Sequence, residues 1–401
     1  MTGVESPFSP GKPVASDLFV GREVEIAEIG RFLRQSAQGR NENVFIGGER
    51  GFGKSSLALL CTGYAQNELG FSAAYCQLTA ASSADEACTL IAQKLLAQMP
   101  KSLAERARGV FERYIESVSL GLPGTGVQVR FRADATLRND LKLSFPELIR
   151  ESYARLQPEV RGLMVVLDDL NGVARDFGFA NFLKGWVDGM VTSGLPAMPL
   201  MIVLVGTQEK MQELSTNQPS VGRIFRPIIL GRVADSVVDS FFERAFASVN
   251  VTVTPEASAV LRYFSGGVPS VMHEIGDATF WINRDTVVDE DDAFAGVWKA
   301  AEVVGLKYVE PQVVKRIRSK SYREIIRKIA EFPGGPFRRQ NLLRAASDED
   351  RTRVDNLLRK LEELGVIRKT DKSGEYEFIH TLHKLYFRLL SGHYPSPKTR
   401  H

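Results

Sequence analysis

The stretch Val44-Phe45-Ile46-Gly47-Gly48-Glu49-Arg50-Gly51-Phe52-Gly53-Lys54-Ser55-Ser56 decides how the rest of the chain is read. Gly48, four intervening residues and then Gly53-Lys54-Ser55 have the spacing of a loop that wraps phosphate. Backbone N–H groups can turn towards a triphosphate only where no Cβ intervenes, which suits Gly48, Gly51 and Gly53, with Glu49, Arg50 and Phe52 completing the turn. Lys54 would reach the β- and γ-phosphates of ATP as a point charge, and the Ser55 hydroxyl would enter the shell of a Mg²⁺ ion. Ser56 and the helical run 57–60 follow, so a helix N-terminus faces the anion. The apolar run 44–46 in front supplies the strand that such a loop requires.

Outward from this loop, two further apolar runs have the length of buried parallel strands. Residues 163–167 end in Asp168-Asp169, so a buried strand delivers acids to its C-terminal edge, where ligands sit in open parallel sheets. Asp168 is placed to hold Mg²⁺ and Asp169 to polarise an attacking water. Residues 200–205 end in Gly206-Thr207-Gln208, where Thr207 could contact the γ-phosphate or cap the next helix. Residues 220–230 place Arg223 and Arg226 before a short strand; either could face a neighbouring subunit's nucleotide or form a plain surface ion pair. Ahead of the loop, Phe19-Val20 offers an apolar wall for adenine and Gly21-Arg22 the turn into an amphipathic helix.

With 401 residues there is room for two or three domains. Hydrophobic residues at 44% and charged residues at 25% are ordinary for a globular chain, and the longest apolar runs are far too short to span a bilayer. Cys61, Cys76 and Cys88 have neither metal-ligand spacing nor an even count, so a reducing cytoplasm fits best. Residues 1–16 are polar and carry no apolar signal segment. The formal net charge of +3 is uneven: residues 315–372 carry +8 and the remainder −5, which suggests a polyanion partner for the C-terminal end.

The pattern in between predicts a strand over 72–78, helices over 84–98 and 103–118, a loop or hairpin insertion over 121–140 and a helix over 145–156. From 233 the chain turns helical over 233–247, 255–264, 269–281 and 289–304, with a linker to about 316. Helices over 322–332, 338–346 and 351–364 and paired strands over 366–370 and 375–379 describe a winged helix-turn-helix. The polar face of its third helix offers Arg351, Arg353, Asn356, Arg359 and Lys360, with Lys369 and Lys372 on the wing, suited to DNA phosphates and base edges. Such modules also serve as protein contacts, in which case these charges are merely solvated.

Taken together, Pro7-Phe8-Ser9-Pro10-Gly11, Phe19-Val20-Gly21-Arg22-Glu23, the loop 48–56, the Asp168-Asp169 strand, Gly206-Thr207 and Gly266-Gly267-Val268-Pro269 resemble AAA+ ATPases of the origin-recognition and initiator type and the related STAND-class ATPases. The resemblance implies an α/β, AAA+-type P-loop parallel sheet over 17–231 behind an N-terminal arm over 1–16. A helical lid and linker over 232–316 and a winged helix-turn-helix over 317–401 follow. It further implies ATP- and Mg²⁺-dependent switching, assembly with further copies or a partner protein, DNA engagement, and Arg223 as the better arginine finger. Two positions depart from the family. Pro269-Ser270 stands where many members carry a lid arginine that senses ATP, with Pro269 left as the lid's contact to nucleotide. Asp169 stands where many have glutamate, which points to slow hydrolysis. The rival expectation is a STAND-type signalling or defence scaffold whose winged helix touches protein.

Overall fold

The computed structural model describes residues 5–12, 19–120, 127–192, 198–307, 336–345, 351–379 and 381–390, with Ile325, Lys328 and Ile329. The chain divides into two compact units, residues 13–231 and residues 1–12 with 232–401.

In the first unit the elements run α1 (Glu23–Ala37), β1 (Asn43–Gly48), α2 (Lys54–Leu69), β2 (Phe71–Gln77), α3 (Ala84–Gln98), α4 (Lys101–Phe111), β3 (Ile115–Leu120), β4 (Val127–Phe131), α5 (Ala135–Leu143) and α6 (Phe145–Leu156). They continue as β5 (Gly162–Asp168), α7 (Phe177–Thr192), β6 (Leu200–Gly206), α8 (Gln208–Asn217), α9 (Val221–Ile224) and β7 (Phe225–Leu230). Five of these strands form one parallel sheet in the order β2-β5-β6-β1-β7. Apolar runs without polar alternation suit strands covered on both faces. One face carries Phe45, Leu163, Val165, Leu167, Ile202 and Leu204 into a core shared with α3 to α7. The alternate residues Val44, Ile46, Met164, Val166, Val203 and Val205 are equally buried on the other face, the side of α1 and α2. Each such side chain contributes roughly 1.5–3 kcal/mol on leaving water.

The helix expected over 103–118 is corrected: α4 stops at Phe111, and Ile115–Leu120 pairs antiparallel with Val127–Phe131. Pairing decides against helical periodicity here, because it buries Ile115, Val129 and Phe131, with the Phe131 ring 6.3 Å from that of Phe111. Of the span 121–140 read as a loop or hairpin insertion, residues 127–131 supply one strand of this pair, while the other strand lies before that span. Residues 135–140 belong to α5, which Asp134 caps by accepting the Leu137 N–H at 2.9 Å. Arg226 lies inside β7 rather than before it.

The second unit holds α10 (Asp235–Ala247), β8 (Thr252–Val253), α11 (Pro255–Ser265), α12 (Pro269–Ile282), β9 (Val287–Val288) and α13 (Glu290–Val304). β10 (Phe337–Arg338), α14 (Arg339–Ala345), α15 (Arg351–Glu363), β11 (Ile367–Lys369), β12 (Glu375–Phe378) and α16 (Thr381–Leu390) complete it. Thr254 caps α11 through the Ala257 N–H at 3.2 Å, and Asp289 and Asp292 form a capping box on α13. Residues 5–12, expected as a separate arm, pack within this unit. Phe8 is 5% exposed, with ring centroids 5.1–6.2 Å from Phe241, Phe242, Phe246 and His273, and the Ser9 N–H donates to His273 Nδ1 at 3.2 Å. Gly276 is needed for this approach, since a Cβ there would lie 2.3 Å from the Phe8 ring.

Near the C-terminus, β10, β12 and β11 form an antiparallel sheet in that order over a core that includes Phe337, Leu342, Leu357, Leu361 and Tyr376. The strand β10 was not expected. The helix expected over 322–332 and the linker beyond 307 lie outside the described residues, except that Ile325 and Ile329 are buried in the same core. α16 packs on α13, and a Cβ at Gly305 would lie 1.9 Å from the Tyr386 ring. Among the described residues no helix is long and apolar enough to cross a membrane.

Candidate nucleotide site

The strand register brings three chain ends to one edge. Gly47 pairs with Gly206, Gly48 with Leu230, and Asp168 with Val205. The loop after β1, the acids after β5 and Thr207 after β6 therefore share the C-terminal edge of the sheet. Gly48 turns there at φ +147°, and a Cβ would lie 2.7 Å from the Leu230 carbonyl oxygen. Gly53, at φ +86°, caps α2, so the turn can close only without side chains at these positions.

Ser55 Oγ donates to Asp168 Oδ2 at 2.7 Å, and the Tyr75 hydroxyl donates to the same oxygen. The Asp169 N–H donates to Asp168 Oδ1 at 2.8 Å. The Lys54 ammonium donates to the Glu49 carbonyl at 2.8 Å. Burial lowers the Lys54 pKa from its ordinary value, while Asp168 opposes that shift and Arg50 adds to it. A cation is thus held in a cleft that withholds solvent from it, which raises its attraction for phosphate. Tyr75 is pushed well above the usual tyrosine range, first by burial and then by its bond to Asp168, so it stays a donor.

Asp169 adopts φ +60°, the left-handed region. Its carboxylate accepts from the Thr79 hydroxyl at 2.9 Å and from the Asn171 amide. Arg22 is 5% exposed; its guanidinium donates to the Phe52 carbonyl at 3.3 Å, to the Gly231 carbonyl and to Glu25 at 3.3 Å. It clamps the phosphate loop rather than standing open as a turn residue. The Phe19 ring lies beside the loop, where a Cβ on Gly53 would meet it at 3.7 Å, and Val20 and Gly21 follow half-buried.

Residues 18–198 match the family model described as an AAA ATPase domain. The Walker-type ATPase PABY2304 of Pyrococcus abyssi is similar in structure, with a TM-score of 0.59, 19% identity, and 95% of this chain and 98% of that one covered. The Aeropyrum pernix ORC2 protein in ADPNP–ADP complexes is similar too, with a TM-score of 0.56, 15% identity and 96% of each chain covered. No curated protein matches the chain by sequence. The fold is that of an AAA+ P-loop ATPase.

The remaining candidates separate. Thr207 occupies the N-cap position of α8, but its hydroxyl donates to Glu209 at 3.1 Å rather than accepting a helix N–H, so it stays at the site's edge. Arg223 is exposed on α9, donating to Ser220 Oγ at 3.3 Å. Arg226 pairs with Val44, at the start of β1 and away from the phosphate loop, and is held by both oxygens of Glu42 and by the Phe32 ring at 5.4 Å. Pro269 opens α12 in the second unit. Sequence reasoning missed Tyr75, Thr79 and Asn171. No sequence signal marked them, because the pairing of β2 with β5 that brings them together is not written in the chain. The three cysteines are buried, and burial pushes Cys61 and Cys76 up to about 12, so none is a reactive thiol.

The far end of the chain offers less free charge than its composition suggested. Arg351, Asn356 and Arg359 are exposed on α15, with Arg353 and Lys360 half-buried, yet Arg359 pairs with Glu363 at 3.3 Å and Lys360 with the same carboxylate at 3.2 Å. Lys369 pairs with Glu362 at 3.0 Å, and Lys372 lies exposed at the β11–β12 turn.

Proposed function

We propose that the protein is an AAA+ molecular switch that binds and slowly hydrolyses ATP, transmitting nucleotide state to its C-terminal module. The observation that carries this reading is Ser55 Oγ against Asp168 Oδ2 at 2.7 Å, beneath a glycine turn that ends on the N-terminus of α2 with buried Lys54. Adenine nucleotides are bound by the similar ORC2 protein, which supports ATP as the ligand.

A Mg²⁺ ion fits this donor set. Hydroxyl and carboxylate are hard oxygen ligands, and Mg²⁺ prefers one or two of them together with phosphate oxygens and water. Among the described residues no group of three or more His, Cys, Asp or Glu could hold a metal by itself. When bound, the ion would neutralise charge developing on the transferring phosphoryl group. The chain's own residues do the rest. Loop N–H groups and Lys54 hold the phosphates, Phe19 and Val20 line the base, and Asp169 orients the attacking water. Thr207 meets the γ-phosphate, and an exposed arginine, Arg223 before Arg226, would act on a neighbouring copy's nucleotide.

The test is binding and turnover in the full chain. Lys54→Ala should lose nucleotide binding by at least a hundredfold in calorimetry, whereas Asp169→Asn should bind normally and release no phosphate. Unchanged ATP turnover in Lys54→Ala protein would refute the assignment.

We read the C-terminal sheet and helices as a winged helix that engages DNA through α15 and the wing, in a cytoplasmic assembly of several copies. Its net charge of +8 over residues 315–372 supports that reading. A second reading, a protein-contacting scaffold module, is favoured by the carboxylates Glu362 and Glu363, which already pair Lys369, Arg359 and Lys360.

A further inference from the structure

Tyr75 touches the site but has no part in the roles assigned above. It lies on β2, an outer strand of the sheet, beside β5, which ends in Asp168. An outer strand has one row of backbone groups without a strand partner. At Tyr75 that row is satisfied by a side chain: the Tyr75 N–H donates to Gln98 Oε1 at 2.8 Å and the Gln98 amide donates to the Tyr75 carbonyl at 3.1 Å. The last residue of α3 thus acts as a surrogate strand and fixes the backbone from which the phenol extends.

The phenol hydroxyl then reaches Asp168 Oδ2, the oxygen that also accepts from Ser55. Oδ1 accepts the Asp169 N–H at 2.8 Å. Three donors on two oxygens leave the carboxylate one orientation. Ser55 spends its proton on Asp168, so the lone pairs of Oγ remain to face a cation.

We propose that Tyr75 is a positioning residue for the divalent metal, holding Asp168 so that its carboxylate and the Ser55 hydroxyl present one prepared pair of oxygens. This deepens the nucleotide reading and rests on it. Partners that orient metal ligands are typically worth ten- to a hundredfold in metal affinity.

Tyr75→Phe keeps the ring and deletes only the donor. With ADP bound and Mn²⁺ as the probe, paramagnetic resonance should show the metal bound about tenfold more weakly than in the parent protein. ADP affinity measured without metal should not change. Gln98→Ala, which frees the backbone at Tyr75, should weaken Mn²⁺ in the same direction by less. Equal Mn²⁺ affinity in parent and Tyr75→Phe protein overturns the proposal alone, as does a matching loss of metal-free ADP affinity, which would mark a general structural role. A parent protein that binds no ADP overturns the nucleotide reading as well.

Discussion

At the scale of single residues, Asp169 gives a physical reason for the carboxylate found there. Its φ of +60° lies where a side chain without a local hydrogen bond pays about 1–2 kcal/mol, a cost that Asp and Asn reduce. Glutamate, one methylene longer, loses that advantage and its grip on Thr79 and Asn171. Asp169→Glu should therefore lower the urea midpoint of the first unit by the equivalent of about 1 kcal/mol, without faster hydrolysis. A variant that is both as stable and faster would sink the argument. The phosphate loop was legible because its chemistry is written in consecutive residues. Tyr75 and Thr79 were not, because each meets its acid only once β2 has paired with β5, and residues 75 and 168 carry no mark of that pairing in the chain.

At the scale of elements, the buried strands and the helices of the second unit were readable from their periodicity. The antiparallel pair Ile115–Leu120 and Val127–Phe131 was misread in its first half, since Ile115 suits a helix face as well as a strand. The role of residues 5–12 was equally hidden, for nothing near Phe8 in the chain reveals an aromatic pocket on α10. Phe8→Ala should cost about 3–5 kcal/mol in the second unit, as for other buried phenylalanines. His273, beside it, is held neutral: burial lowers its pKa from 6.5 to about 4, and its Nδ1 accepts the Ser9 N–H. Above pH 6.5 both folded and unfolded forms are neutral and nothing is lost. As pH falls from 6.5 towards 4 only the unfolded chain takes up the proton, so stability drops, by about 3 kcal/mol in all. Melting curves of the full chain between these pH values should register this fall, and His273→Gln should flatten it.

At the scale of the whole molecule, charge decides what the C-terminal module meets. If DNA is the partner, log affinity should fall linearly with log salt, and Lys372→Ala should reduce that slope by about one. A complex indifferent to salt would transfer the module to a protein partner. The position of Phe8 carries one more consequence, for the order of events during synthesis. Phe241, Phe242 and Phe246, which enclose the Phe8 side chain, are made more than two hundred residues after it. At cellular elongation rates that is a wait of roughly 10–50 s. The intervening residues, including the whole nucleotide site, emerge first and can fold meanwhile. Translation thus closes the aromatic pocket of the second unit around a side chain made long before its walls.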